Sequence, residues 1–316
     1  GYIDRSRSQL MTPDTRVRIA SISKVFTAVV ILQLAEEGRL DLDAPLATWY
    51  PDLVPRAETI TVRRLLNHTT GLHDYLEDSA KLQRAYERPD YRWLPSELAA
   101  YAGQKGFLFA PGTPGAWDYS STNYVILGMV VEAVTGNSLS NEMHARIVEP
   151  IGLSSTYFVP DEEVEGVYAR GYRNERDVTD VSLSFAYATA NLVSTPADVA
   201  RFGDALFNGR LLRPETMAQM ETFENGKGQY NMPALEYGLG VMRNRLWIGP
   251  DAAGNKRADG ANVVVGHTGG FGGFRSVLWH APASGITIAL GENQGATDPN
   301  ILATQVLDAV LRARGE

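Results

Sequence analysis

Ser21 and Lys24 stand three residues apart at the opening of a long apolar stretch, a step that returns to nearly the same face of a helix. On such a face the Ser21 hydroxyl and the Lys24 amine come within hydrogen-bond reach. A serine hydroxyl is a poor nucleophile until a base takes its proton. A lysine supplies that base when burial lowers its pKa, or holds a positive charge that activates another base. The same spacing also describes a capped helix carrying an ordinary lysine. Two other segments group side chains of chemical interest. Tyr119-Ser120-Ser121-Thr122-Asn123-Tyr124 precedes a second apolar helix; it offers a phenol and hydroxyls, and it equally fits a capping loop with Ser121 or Thr122 as the cap. His267-Thr268-Gly269-Gly270 closes a β-branched run. It reads either as a turn or as a strand edge where glycine admits a ligand and exposes a backbone N–H to a developing oxyanion.

The elements that would position these groups follow from hydrophobic spacing. Ser21 to Glu37 carries Val25, Phe26, Val29, Val30, Leu32 and Leu34 and stops at Gly38, which predicts a buried helix. Helices are also expected at Thr61–Asn67, at Glu97–Tyr101 capped by Ser96, from Thr122 to about Gly136, and at Ser138–Ile147. Two more follow Thr195-Pro196, one running to about Phe207 and one at Pro214–Phe223. Strands are expected at Val263–Val265, Arg275–Trp279 and Ile286–Leu290, the last two joined by Pro282-Ala283-Ser284-Gly285, with a covering helix at Ile301–Arg312. The predicted architecture is α+β: an antiparallel sheet flanked by helices, formed by residues 1–51 and 200–316, plus a mostly helical lobe of residues 52–199, with the site in the cleft between them.

Composition narrows the function classes. The 316 residues are 44% hydrophobic and 21% charged, which excludes disordered, collagen-like and coiled-coil chains and leaves about two domains' worth of core. There is no cysteine, hence no disulfide, no thiolate metal site and no cysteine nucleophile. A net charge of −8 argues against nucleic acid as a partner. The longest apolar runs, Phe26–Leu34 and Tyr124–Val131, are shorter than the ~18 to 20 residues that span a bilayer. His68 and His73 are five apart, a poor metal spacing, and are assigned to loop structure; His144 and His280 read as ordinary positions. Asp74, Tyr75, Trp117 and Phe271 fit either a cleft or a core. No Gly-x-Ser-x-Gly, His-Glu-x-x-His or phosphate-binding glycine loop occurs.

Taken in order, Ser21-Ile22-Ser23-Lys24, Tyr119-Ser120-Ser121 and His267-Thr268-Gly269 resemble the three motifs of the serine β-lactamase and penicillin-binding protein superfamily, in its class C and DD-peptidase-like branch. Arg18-Ile19-Ala20, Leu65-Leu66-Asn67-His68-Thr69-Thr70-Gly71-Leu72, Leu192-Val193-Ser194-Thr195-Pro196-Ala197-Asp198 and Tyr237-Gly238-Leu239-Gly240 extend the likeness over essentially the whole chain. The resemblance implies a β-lactamase/transpeptidase-like fold. It implies Ser21 as acylated nucleophile, Lys24 as its partner, Tyr119 as proton shuttle, and the N–H groups of Ser21 and Gly270 as oxyanion hole. Ser121, His267, Thr268 and Gly269 would line the bound substrate. The implied activity is hydrolysis of an amide or ester, with D-amino-acid peptides first, and with no metal or cofactor. A family carboxylesterase is the rival within enzymes, and a non-catalytic binding module the rival outside them. The resemblance favours an exported location, with a cytoplasmic one open, and leaves the oligomeric state open.

Three departures shape these expectations. Ser121 stands where the family has an Asn that holds an acylamide carbonyl. His267 stands where class C enzymes have Lys, a choice that resembles the D-amino-acid peptidases. The sequence begins where an early strand would be ending, so the upstream helix and first strands are expected to be missing, cleaved or supplied differently. Lowering the Tyr119 phenol by about 3 units from ~10 costs near 4 kcal/mol. One ammonium at ~4 Å supplies about that much at an effective dielectric of ~20, so Tyr119 and Lys24 are expected to share one proton.

Overall fold

A computed structural model of the chain describes residues 1–226 and 228–316. Eleven strands and eleven α-helices are found among them. The strands are β1 (Val17–Arg18), β2 (Tyr157–Phe158), β3 (Tyr172–Arg173), β4 (Arg176–Asp177), β5 (Leu192–Ser194), β6 (Glu224–Asn225), β7 (Glu236–Tyr237), β8 (Met242–Arg245), β9 (Val263–Phe271), β10 (Phe274–Ala281) and β11 (Ile286–Glu292). The helices are α1 (Ser23–Glu36), α2 (Val62–Leu66), α3 (Ser79–Glu87), α4 (Pro95–Lys105), α5 (Ser121–Thr135), α6 (Leu139–Met143), α7 (Glu149–Ile151), α8 (Tyr187–Ala190), α9 (Pro196–Phe207), α10 (Pro214–Met220) and α11 (Pro299–Arg314).

The main sheet is antiparallel, in the order β11-β10-β9-β8-β7-β6. Successive side chains point to opposite faces, and each face has its own core. Val277 and Trp279 of β10 meet Ala303, Leu307 and Leu311 of α11, whereas Leu278 faces the cluster that contains α1 and α9. Helix α1 is apolar all round and buried throughout its length up to Leu34 apart from Gln33, as a central helix must be. Phe26 of α1 stacks on Phe202 of α9 with ring centroids 3.7 Å apart. A small sheet, β1-β5-β2, brings residues 17–18, 157–158 and 192–194 together beside the start of α1.

The predicted ends shift in four places, each for a local reason. Ser96 is not a cap: Pro95 occupies the first turn, and the Glu97 carboxylate accepts the Leu94 N–H at 2.9 Å, so the helix starts two residues earlier. Thr122 lies inside α5, its hydroxyl committed to His73 O at 2.7 Å. The 138–147 helix is capped by Ser138 but widens into a π-type turn over His144–Val148. The helix after Pro214 ends at Met220. Strands β6 to β8 escaped the hydrophobic pattern because they are two to four residues long, too short for alternation to register.

His267-Thr268-Gly269-Gly270 is not a turn. These residues continue β9, paired with Leu278, Val277, Ser276 and Arg275 of β10; the reversal comes later, at Gly272-Gly273.

Candidate active site

The nucleophile candidate sits on a tight turn. Ala20–Ile22 form a single 3-10 turn that runs directly into α1, and Ala20 holds φ at +48°, a left-handed value that non-glycine residues rarely adopt. The strained turn is fastened to the sheet. Ser276 Oγ donates to Ile19 O at 2.6 Å, and Gly269 lies against the turn, where a β-carbon would overlap Ile19 O and Ser276 Oγ. Glycine at 269 is therefore required for the close approach of β9 to Ser21.

Arg18 supplies a second fastening. Its guanidinium is buried (3% exposed), donates from Nε to Tyr168 Oη at 2.9 Å, and donates to Gly272 O and to Thr179 O. It also lies over the Phe274 ring. Gly272 turns the β9–β10 hairpin with φ at +55°, and a β-carbon there would collide with Arg18. One side chain, three residues before Ser21, thus ties the nucleophile segment to the hairpin that carries Gly270.

Inside the turn, Lys24 Nζ donates to Ser21 Oγ at 3.2 Å and to Thr189 O at 3.1 Å. The amine is fully buried and makes no ion pair among the described residues. Burial pushes its pKa from 10.5 down to about 7, against a smaller upward pull from the Asp74 carboxylate. Tyr119 hydrogen-bonds Ser21, but burial in aromatic surroundings drives its phenol well above 10. The shared-proton expectation is thereby corrected. Dense packing disfavours both charged forms, so the phenol keeps its proton and the lysine is the member that titrates near neutrality.

His267 is fully buried, with Nδ1–H donating to Thr268 O and Nε2 accepting from Tyr237 Oη at 3.0 Å. Burial, aided by the nearby Lys24 charge, lowers it to about 3. It is a neutral, fully engaged imidazole, braced beneath the cleft. His68 repeats the pattern from the other side. Nδ1 accepts from Ser120 N–H at 3.2 Å and Asn123 Nδ2 at 3.0 Å, and the ring lies 4.3 Å from that of Tyr119. Burial holds it well below its usual range. Lys24 therefore lies among neutral rings, Tyr119, Tyr124, His68 and His267, with Tyr237 packed behind them.

The open side is a cleft of about 520 Å³ lined by Ser21, Tyr119, Ser121, His267, Thr268, Gly269 and Gly270, so it gathers every site position expected from the sequence except the buried Lys24, which lies just behind Ser21. Thr268 and Gly270 face it from β9. Ser121 is buried at the cleft wall, next to the Asp74 carboxylate, which accepts Leu76 N–H at 2.9 Å. Burial raises the pKa of Asp74. Where the family holds a carboxamide, this chain thus presents a Ser–Asp pair. Glu77, Asp118 and Asp298 add three carboxylates to the lining, against the single cation Arg275.

Of the residues left between cleft and core, Asp74 lines the cleft, whereas Tyr75 and Trp117 are core. Sequence reasoning passed over Arg18 and Tyr237. Arg18 had a usable signal, an arginine inside a segment otherwise apolar enough to be buried. No group of metal-ligating side chains occurs among the described residues, nor any helix long and apolar enough to cross a membrane.

Known proteins share this fold. The D-amino acid amidase from Ochrobactrum anthropi SV3, solved with L-phenylalanine, superposes with a TM-score of 0.86 at 30% identity, covering 99% of this chain and 89% of the amidase. The D-aminopeptidase of Brucella anthropi is 28% identical over 307 residues, 93% of this chain and 53% of that protein. The putative penicillin-binding protein PbpX of Bacillus subtilis is 29% identical over 250 residues, and the match spans 77% of this chain and 60% of PbpX. The fold is thus β-lactamase/transpeptidase-like, and with the beta-lactamase family model matching residues 1–311, the chain belongs to the beta-lactamase family.

Proposed function

We propose that the chain is a serine hydrolase that forms an acyl-enzyme on Ser21 and acts on amides or short peptides of D-amino acids bearing a free amino group. The observation that carries the reading is the Lys24 amine, 3.2 Å from Ser21 Oγ and lowered to about 7, which makes it a base in the range where general-base catalysis is most effective. Lys24 takes the Ser21 proton as Oγ attacks the substrate carbonyl. The N–H groups of Ser21 and Gly270 receive the oxyanion. Tyr119, protonated and bonded to Ser21, hands a proton to the leaving nitrogen as the C–N bond breaks and is reprotonated from Lys24. Water then attacks the ester, giving its proton to the same amine and releasing the acid with Ser21 restored.

The substrate's charge is read from the lining. Four carboxylates, Asp74, Glu77, Asp118 and Asp298, favour a cationic group, and the Asp74–Ser121 pair stands where an acylamide would otherwise be held. The D configuration is supported by what the two relatives named above act on.

Hydrolysis of D-phenylalanine amide, its L enantiomer, N-acetyl-D-phenylalanine amide and p-nitrophenyl acetate tests the reading, with Ser21→Ala as control. Turnover of the free D-amide, lost in the variant and weak on the acetylated compound, is expected. Turnover of the acetate alone would replace the reading with a carboxylesterase, and wild-type rates in Ser21→Ala would remove the nucleophile.

A further inference from the structure

Beside the cleft lies a second groove of about 400 Å³ between the end of β8, the segment 231–233 and the first turns of α11. Asn231, Asp298 and Asn300 line both. Its outer wall carries Trp247, 87% exposed, facing Ile301, 63% exposed. A tryptophan so uncovered leaves a broad apolar face in water.

The rest of the lining is polar in a particular way. Asn244 is only 5% exposed, yet its carboxamide makes no hydrogen bond to any described residue, and the groove is where it reaches the surface. The side chains of Asn231 and Gln305 are likewise without a partner among the described residues. Asn300 uses only Oδ1, which accepts from Trp279 Nε1 at 3.0 Å, leaving its NH₂ group. These carboxamides meet water in the groove, which a ligand with matching donors and acceptors can displace. Each carboxamide offers donor and acceptor together, the pattern that adjacent hydroxyls of a sugar present in return. Arg245 and Asp298, the charged members, are one of each sign, which suits a neutral ligand.

We propose that this groove is a carbohydrate site, in which Trp247 stacks on the C–H face of a sugar ring while Asn231, Asn244 and Gln305 bond its hydroxyl or acetamido groups. The groove adjoins the cleft, sharing Asn231, Asp298 and Asn300 with it. The proposal goes beyond the acyl-transfer reading and does not depend on turnover.

The test uses the Ser21→Ala protein, titrated with N,N′-diacetylchitobiose, maltotriose and, as an apolar peptide-like probe, N-acetyl-phenylalanine amide. Tryptophan emission and saturation-transfer NMR are read together. A saturable response to either sugar is expected, with affinity weakened about tenfold or more by Trp247→Ala, less by Trp247→Phe, and several-fold by Gln305→Ala. Trp247 and Gln305 are exposed, so these variants keep their fold. No response to either sugar, or one unchanged in Trp247→Ala, would overturn the proposal. Response to N-acetyl-phenylalanine amide alone would assign the groove to an apolar peptide instead.

Discussion

Two buried cations six residues apart, Arg18 and Lys24, flank the same turn and are treated in opposite ways. Neither makes an ion pair among the described residues. Arg18 meets three oxygens, from Tyr168, Gly272 and Thr179, with a planar fork that spreads its charge and fits several acceptors at once. Lys24 meets two oxygens inside a cage of aromatic rings, and one of these is the hydroxyl that we propose it activates. Its compact charge is poorly compensated there, and the amine is lowered to about 7. The difference shows how one segment separates architecture from chemistry. A delocalised cation with enough acceptors holds elements together, whereas an undersupplied one has its pKa lowered.

The sharpest way to break the comparison is to remove each cation. Lys24→Met keeps the volume and discards the desolvated amine, so acylation should fall by about 10³-fold or more, with a melting temperature no lower than wild type. An unfolded Lys24→Met protein would place the lysine among the structural groups. Arg18→Ala should do the reverse. It strands three acceptors and should destabilise by about 3 kcal/mol in urea unfolding, and Arg18→Lys should not restore the loss. A stable Arg18→Ala protein would show that the hairpin needs no tie.

A smaller effect is read from pH. With Lys24 at about 7, the free amine grows as pH rises, so kcat/KM should show an acid limb near 7, dropping about tenfold per unit below. It should fall again at higher pH as the substrate's own amino group loses the charge that the cleft carboxylates favour. His267, lowered to about 3, should contribute no limb between pH 5 and 9. A limb that disappears in His267→Gln would reverse the assignment. Finest of all is Asp74→Asn. The Asp74 charge pulls Lys24 upward, so its removal should move the acid limb to lower pH by a fraction of a unit and erode the preference for a free amino group. A limb moving to higher pH would contradict the sign.

The spacing of apolar residues was enough to place α1, α5, α9, α11 and the three long strands, because each buries many side chains in a regular rhythm. Strands β6 to β8 and the π-type turn were not legible, since two-residue pairings and a widened helical turn leave no periodic trace. In the site, the three short segments identified the side chains that the fold brings to one cleft. What they hid was protonation. Whether Tyr119 or Lys24 holds the proton depends on the aromatic cage contributed by positions 68, 124 and 237, scattered along the chain. The role of Asp74 was hidden for a related reason, because its partner Ser121 lies 47 residues later and looked only like a lost carboxamide.

The bond from Ser276 to Ile19 joins residues 257 positions apart, and it has a consequence for biosynthesis. A nascent chain that has emerged only as far as β8 already contains Ser21, Lys24 and Tyr119, but not the strands that seat the nucleophile turn. The proposed acyl transfer should therefore be withheld until β9 and β10 have been made. By the same logic, a chain divided in the exposed stretch at 251–256 should give two silent halves, whose reassociation restores activity and reports their encounter.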